Sequence, residues 1–265
     1  MSSSTDTGPR RLRLALSPVL LGFLGAALFV ALWEAAPRLG WVREESIPPF
    51  SRVARELYDV IQVSGFATAL GQSATRWAIG FGIAIVIGTT VGLLMGRLRV
   101  LYGLLDPLLV VSYPVPKAAL ILIFIFWWGA GNFSQVTIIV IGCLIPIVIS
   151  SYHGAHGVEE RLLWSARGLG TGRAAGMLKV VLPAALPQIL SGLRIAIAIS
   201  IFTLLAAELL IRGSGIGSFM FTNLDLGRNL RVWALAVFLA LTGFTLDFLY
   251  VRLVRRLFPW VEGQV

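Results

Sequence analysis

Long uncharged apolar runs alternate with short polar segments along this chain, and the pattern predicts an all-α membrane protein with six transmembrane helices. A run of about 20 residues, at about 1.5 Å per residue, crosses a hydrocarbon layer about 30 Å thick. The predicted spans cover approximately residues 14–36, 77–96, 106–128, 134–151, 187–211 and 231–250. We expect an N-terminal tail with the first span in residues 1–46 and a five-helix core in residues 47–265, with a long polar connector at 153–186.

Composition supports this interpretation, because 57% of the 265 residues are hydrophobic and only 13% are charged. The net charge of +9 would suit nucleic acid, but its distribution follows membrane topology instead. With the N-terminus inside, the inner segments carry 12 Lys and Arg residues and the outer segments carry 6. The positive-inside rule therefore predicts that both termini and the connector at 153–186 lie in the cytoplasm, with no nucleic-acid partner.

Two local patterns predict packing details. Gly88, Gly92 and Gly96 repeat at four-residue spacing, which places positions without Cβ on one helix face and favours close approach of another helix. The segment Ser51–Ile61 is amphipathic, and its first residue has the hydroxyl of a helix N-cap. We expect this segment to be a short surface helix that lies outside the predicted spans.

The connector predicts a bent pair of helices. Arg161 to Leu169 fits one short helix, with Leu162, Ala166 and Leu169 on the face expected to lie against the bundle and Leu163 at the margin of that face. Trp164 projects from the opposite side. Glycines at 168, 170 and 172 permit a bend. Thr171 is the expected cap of a second helix that runs to about residue 182. Prolines at 183 and 187 are expected to interrupt that helix before the fifth span. The alternative is an amphipathic loop in the headgroup layer.

Several kinds of chemistry are disfavoured. The sequence contains no GxxxxGK[ST] phosphate loop, so we expect no ATP hydrolysis on this chain by that route. His153 and His156 lie near two glutamates, but no third nitrogen or sulfur ligand accompanies them, so we expect no metal site. Cys143 lies in an apolar run and is expected to pack in the core. Without a recognisable catalytic constellation, a transport role is favoured over an enzyme.

The connector resembles the "EAA" loop of binding-protein-dependent ABC importer permeases. The resemblance rests on Ala166-x-x-x-Gly170, Val181-Leu-Pro183, Ala185-Leu-Pro187 and Gly192-Leu-Arg194. Further motifs are similar to the nitrate, sulfonate and taurine branch of that family: Pro48-Pro49-x-Ser51-x-Val53, Tyr113-Pro-Val-Pro116-Lys117, Phe126-Trp-Trp-Gly-x-Gly131, and Ala207-Glu208 followed by Gly215-Ile-Gly217. One departure is Trp164, which stands where the EAA signature has an acidic residue, followed by Ser165.

The resemblance implies a type I importer permease in a bacterial inner membrane. Its expected partners are separate ABC ATPase subunits, an extracytoplasmic solute-binding protein, a second copy of the same permease chain, and membrane lipid. No cofactor is expected on this chain, since ATP and magnesium would bind the partner ATPase. The residues expected to contact the ATPase are Arg161, Leu162, Trp164, Ser165, Ala166, Leu169, Gly170 and Arg173.

A translocation pathway is also predicted, from polar residues within the third and fifth spans: Tyr113, Lys117, Ser200, Thr203 and Glu208. An ammonium near mid-membrane needs a partner or an aqueous cavity. Lys117 therefore either guides an anionic solute, or pairs with backbone carbonyls freed by the prolines, or pairs with Glu208. For Ser200 and Thr203 the alternative is interhelical hydrogen bonding.

The predicted function is import of a small anion such as nitrate, taurine or another sulfonate. Alternatives are a permease of the same family for a neutral nutrient such as a thiamine precursor, and a self-contained secondary transporter. Secondary transporters are commonly built from inverted internal repeats. Here the connector at 153–186 occurs only once, which disfavours that alternative.

Overall fold

The computed structural model describes residues 18–261, and the regular elements within that range are helical. The long helices are α1 (Pro18–Arg38), α3 (Phe66–Arg97), α6 (Asn132–His156), α9 (Leu182–Ile211) and α11 (Asn229–Leu257). The short helices are α2 (Phe50–Ile61), α4 (Arg99–Ser112), α5 (Lys117–Trp128), α7 (Glu160–Gly168), α8 (Arg173–Gly176) and α10 (Ile216–Asp225). The chain divides into two compact units between Arg55 and Glu56, and the division expected at residue 46 stays a prediction.

In the first unit, the end of α1 is tied to the chain that leads into α2. The Glu34 carboxylate accepts hydrogen bonds from the Ser51 backbone N–H at 2.9 Å and from the Ser51 hydroxyl at 2.8 Å. The predicted N-cap at Ser51 is therefore wrong, because this residue lies inside α2, and its hydroxyl donates to Glu34 instead. The first four residues of the predicted span, 14–17, lie outside the described residues.

Among the described residues, five helical segments are long and apolar enough to cross a membrane: Leu20–Arg38, Phe66–Arg97, Asn132–His156, Arg173–Ile211 and Asn229–Leu257. The remaining predicted span, the third, consists of two short helices, α4 and α5. The interruption predicted at residues 113–117 is found between them, but α4 begins at Arg99, seven residues before the predicted start. Pro114 and Pro116 lie in the break, where each removes a backbone donor.

The core of the second unit is the contact between α3 and α6, and glycines make it close. A Cβ on Gly92 would lie 2.5 Å from Ser151 Cβ, and a Cβ on Gly96 would lie 2.6 Å from Ala155 Cβ. One turn earlier, a Cβ on Gly88 would lie 2.8 Å from the Ile147 side chain. The close packing predicted from the glycine spacing is confirmed, and its partner is α6.

The predicted break at Pro183 and Pro187 is wrong. The segment Arg173–Ile211 is one continuous helical span of 39 residues, in which α8 passes through a π turn (Met177–Val181) into α9. In the π turn the Leu182 N–H donates to the Met177 carbonyl, five residues back. This wider turn directly precedes Pro183. Because the backbone hydrogen bonds there already run over five residues instead of four, the N–H that Pro183 lacks does not interrupt a regular helical ladder, and the helix continues.

Candidate functional site

A cavity of about 670 Å³ opens beside α5, α6 and α9. Its lining consists of Tyr113, Val115, Pro116, Lys117, Gly142, Ile145, Pro146, Ile149, Ser150, Ile195, Ile199, Phe202 and Thr203. Among these described residues, Lys117 carries the one ionic side chain; the rest are apolar, glycine, hydroxyl or phenol groups. The cavity is thus an apolar space of the size of a small-ligand site, with a single positive charge.

Lys117 lies at the first position of α5, directly after the proline-rich break. Its Nζ donates hydrogen bonds to the Tyr113 carbonyl at 2.6 Å and to the Ser112 carbonyl at 3.2 Å, and lies 5.7 Å from the centroid of the Tyr113 ring. Pro116 has no N–H to offer the Ser112 carbonyl, four residues before it, and the ammonium supplies a donor in its place. The hypothesis of pairing with freed carbonyls is confirmed, and that of pairing with Glu208 is wrong.

The five predicted pathway residues divide into two groups. Tyr113, Lys117 and Thr203 line the cavity together, and the Thr203 methyl group packs where Gly142 leaves room for it. Ser200 is fully buried; its hydroxyl accepts a hydrogen bond from Trp77 Nε1 at 2.7 Å and donates to the Ile197 carbonyl at 2.6 Å. For Ser200 the interhelical alternative is therefore confirmed.

A second cavity, of about 420 Å³, continues along the same face of α6. It shares Tyr113 and Ile149 with the first and extends to Asp106, Tyr152 and His153. The Tyr152 ring stacks on that of Tyr102, with centroids 5.0 Å apart. The α6 face from Gly142 to His153 therefore lines an extended hollow with polar and aromatic groups at one end.

Glu208, the fifth predicted pathway residue, belongs to a buried ion pair that the sequence analysis missed. Its Oε1 lies 2.8 Å from Arg76 Nη1, and the two side chains are only 1% and 6% exposed. Ser73 Oγ donates to the same carboxylate at 2.7 Å. Arg76 also donates to Asn132 Oδ1 at 2.7 Å and to the Ser214 carbonyl at 2.9 Å. These contacts join α3, α6, α9 and the segment before α10.

Two glycines make room for this carboxylate. Gly217 donates its N–H to Glu208 Oε2 at 2.9 Å, and a Cβ there would lie 2.6 Å from Glu208 Cβ. Gly215 has φ +102°, and a Cβ on it would collide with the carboxylate itself. The motif Glu208 followed by Gly215-Ile-Gly217 is therefore a carboxylate and the glycine turn that encloses it. In the sequence, the clue to the ion-pair partner of Glu208 is Arg76, a single charged residue directly before the apolar run 77–96.

The connector forms α7, a sharp bend, and then α8. The bend is a Schellman motif: Gly170, at φ +84°, donates its N–H to the Arg167 carbonyl at 2.9 Å, and Thr171 donates to the Ala166 carbonyl at 2.9 Å. The predicted bend is confirmed. The predicted cap at Thr171 is wrong, because Gly172 is the N-cap of α8, with no side-chain cap.

The inward face of α7 differs from the prediction. Leu163 is the buried residue, packed with Val158, Val181 and Ala185, whereas Leu162 and Leu169 are 51% and 88% exposed. The correction follows from the bend, which turns α7 so that the Leu163 side chain faces the bundle. Trp164 is 61% exposed, as expected. The remaining predicted contact residues, Arg161, Ser165, Ala166, Gly170 and Arg173, lie on α7, at the bend and at the start of α8, where Ala166 is half-buried and the others are exposed.

Comparison with known proteins identifies the family. Residues 84–259 match the model of the "binding-protein-dependent transport system inner membrane component" family. The taurine transport system permease protein of Escherichia coli is 32% identical over 90% of this chain and 88% of its own length. A putative aliphatic sulfonates transport permease protein of Bacillus subtilis is 30% identical over 90% and 87%, and a nitrate import permease protein of Synechocystis is 28% identical over 93% and 94%.

The fold also matches a solved structure. A chain of the inward-facing MetNI methionine ABC transporter superimposes with a TM-score of 0.62 over 72% of this chain and 95% of its own, at 17% identity. This likeness shows the type I permease fold, as the sequence predicted. The chain therefore belongs to the family of binding-protein-dependent transport system inner membrane components, as a multi-pass ABC importer permease similar to its nitrate, sulfonate and taurine branch.

Proposed function

We propose that this chain forms the translocation pathway for a small anion in an ATP-driven importer. The observation that carries the proposal is Lys117, the one ionic group in the lining of the 670 Å³ cavity. Its partners are neutral carbonyls, so its positive charge is not cancelled. The relatives named above are taurine, sulfonate and nitrate permeases, and these solutes all carry an anionic group. An ammonium group in an apolar environment attracts an anionic group strongly, because the low dielectric weakens the screening of their charges.

In this proposal the energy comes from another chain. Leu162 and Trp164 on α7, with Leu169 directly after it, form an exposed apolar surface, and this surface docks on a separate ATPase subunit that binds ATP and magnesium. Trp164 then contributes an aromatic contact where relatives are expected to use an acid. The rigid Schellman bend at Gly170 joins α7 to the 39-residue span Arg173–Ile211, so movement of α7 is transmitted to the cavity wall at Thr203.

The proposed assembly contains two copies of this chain, which face each other across the pathway in the bacterial inner membrane. Both termini and α7 lie in the cytoplasm, in accord with the excess of Lys and Arg in those segments. A solute-binding protein delivers the anion to the opposite face.

Uptake by the reconstituted importer tests the role of Lys117. The variant Lys117→Met removes the charge, and we expect the KM for labelled taurine or nitrate to rise about tenfold or more, since a hydrogen bond to a charged group contributes about 1.5–3 kcal/mol. The control Lys179→Met removes the chain's other lysine, which is exposed and lies outside the cavity lining. Uptake unchanged by Lys117→Met, or uptake of a neutral thiamine precursor alone, contradicts the proposal.

Co-purification tests the docking of α7. Trp164→Ala should reduce the amount of ATPase subunit that co-purifies with the tagged permease, because an aromatic anchor at the centre of an interface commonly contributes 2 kcal/mol or more. The matched control is Trp127→Ala, which removes a side chain of the same type and of nearly the same exposure, 62%, at the end of α5. Equal loss for both variants, or full transport by the purified chain without nucleotide, would overturn this assignment.

A further inference from the structure

A third cavity, of about 300 Å³, lies behind α7 and holds three arginines. Its lining consists of Arg97, Leu98, Leu163, Ala166, Arg167, Thr171, Gly172, Arg173, Gly176, Met177 and Val181. The charged groups in this lining are Arg97, Arg167 and Arg173, and no carboxylate is among these described residues. Three arginines thus line one space of a size suited to a phosphate group with part of its ester.

The charges of these arginines are not balanced within the described part of the chain. Arg97 Nη1 donates to the Ala155 carbonyl at 3.4 Å, which is a long contact with a neutral group. None of the seven ion pairs between described residues includes Arg97, Arg167 or Arg173. Like charges that converge on one cavity repel each other, so an anionic ligand would stabilise the site.

The position of the cavity indicates where that anion comes from. Arg97 is the last residue of the span Phe66–Arg97, and Arg173 is the first residue of the span Arg173–Ile211. The predicted span 77–96 ends one residue before Arg97, so the Arg97 side of the cavity lies at the cytoplasmic end of that span, next to the lipid phosphates. Basic pockets between the ends of membrane helices bind anionic headgroups. A guanidinium group can donate two parallel hydrogen bonds to the oxygens of one phosphate.

We propose that this cavity binds the phosphate of an anionic phospholipid. The guanidinium groups of Arg167 and Arg173 hold the phosphate oxygens, Arg97 adds charge from the end of α3, and the apolar side chains of Leu98 and Met177 contact the glycerol and the first methylenes. Because Leu163, Ala166 and Arg167 belong to α7, the lipid sits against the inner side of the helix whose outer side carries Trp164. Lipid charge then sets how firmly α7 is held against the bundle.

Native mass spectrometry of the full-length chain in detergent tests the site, with phosphatidylglycerol and phosphatidylcholine of identical acyl chains as probes. We expect tighter binding of phosphatidylglycerol. The double variant R167Q/R173Q should weaken it about 25-fold, since each basic residue at a membrane surface contributes about fivefold. The matched control, R255Q/R256Q, removes two exposed arginines from the end of α11 and should change it less than twofold. R167K/R173K keeps the charge and should restore most of the affinity.

Three results would overturn the proposal. Equal losses in R167Q/R173Q and R255Q/R256Q would reduce the effect to general surface charge. Displacement of phosphatidylglycerol by millimolar inorganic phosphate would assign the cavity to a free phosphate. Unchanged lipid binding in R167Q/R173Q, together with loss of the co-purifying ATPase subunit, would assign the arginines to a carboxylate of that subunit. The lipid measurement needs no transport, so its failure is distinguishable from failure of the importer assignment.

Discussion

Removal of the Glu208 carboxylate should destabilise the fold more than removal of any exposed acid. The side chain accepts hydrogen bonds from Ser73 Oγ, Arg76 Nη1 and the Gly217 N–H, at distances between 2.7 and 2.9 Å. In Glu208→Ala these three donors lose their acceptor, and the Arg76 guanidinium keeps its charge at a site where its side chain is 6% exposed.

The magnitude follows from that burial. Loss of one partner of a buried ion pair costs about 3–5 kcal/mol, because the remaining charge has neither water nor a counter-ion. Glu208→Gln keeps the shape and one acceptor oxygen, so we expect it to cost less, about 1.5–3 kcal/mol. Replacement of both partners, as in R76M/E208L, removes the stranded charge and should cost less than the sum of the two single changes.

The free energy of unfolding is measured by Trp fluorescence in mixed micelles as the mole fraction of SDS rises. Asp225→Ala is the control, since its pair with Arg212 is long, at 3.9 Å, and both side chains are about 60% exposed. Such a pair contributes less than about 1 kcal/mol. If Glu208→Ala were no more destabilising than Asp225→Ala, or if R76M/E208L showed simple additivity, the ion pair would not be what stabilises this region.

The same SDS titration checks two glycine predictions. Gly92→Ala should cost about 1–3 kcal/mol, because its Cβ would lie 2.5 Å from Ser151 Cβ, whereas Gly82→Ala on the same helix meets open space and should be neutral or stabilising. Gly170→Ala should cost about 1 kcal/mol, because φ is +84°, whereas Gly168→Ala, without positive φ and in open space, should not destabilise. Equal effects within either pair would contradict the corresponding packing or backbone argument.

The sequence predicted best what depends on neighbours along the chain. Apolar length located the spans, the four-residue glycine spacing identified the close face of α3, and the glycines after α7 placed the bend. These features are local, since helical periodicity and backbone sterics act within a few residues. The error at Pro183 was local too, but it required knowledge of the π turn at Met177–Val181, which no residue type announces.

What the sequence could not predict depends on distant partners. Arg76 directly precedes the predicted span 77–96, because a count of uncharged residues along the chain stops at any charge, whether or not the fold pairs it. Its partner, Glu208, lies 132 residues later, and only the fold brings them together. For the same reason, Glu208 is one of the partners that the sequence analysis offers for Lys117. The prediction of the inward face of α7 was wrong for a similar reason, since periodicity determines which residues share a face but not which face turns inward.

Charge pairing distinguishes Lys117 from two ion pairs within the membrane spans. Arg76 is paired with Glu208, and Arg194 with Asp247 through two hydrogen bonds of 2.7 and 2.9 Å. Each of these pairs cancels its own charge, and a cancelled charge exerts little pull on a passing solute. Lys117 differs, because its described partners are carbonyl groups, which satisfy its donors but leave its charge. Under the proposed function, an anion in the adjoining cavity is therefore attracted by Lys117 rather than by the paired charges of Arg76 and Arg194.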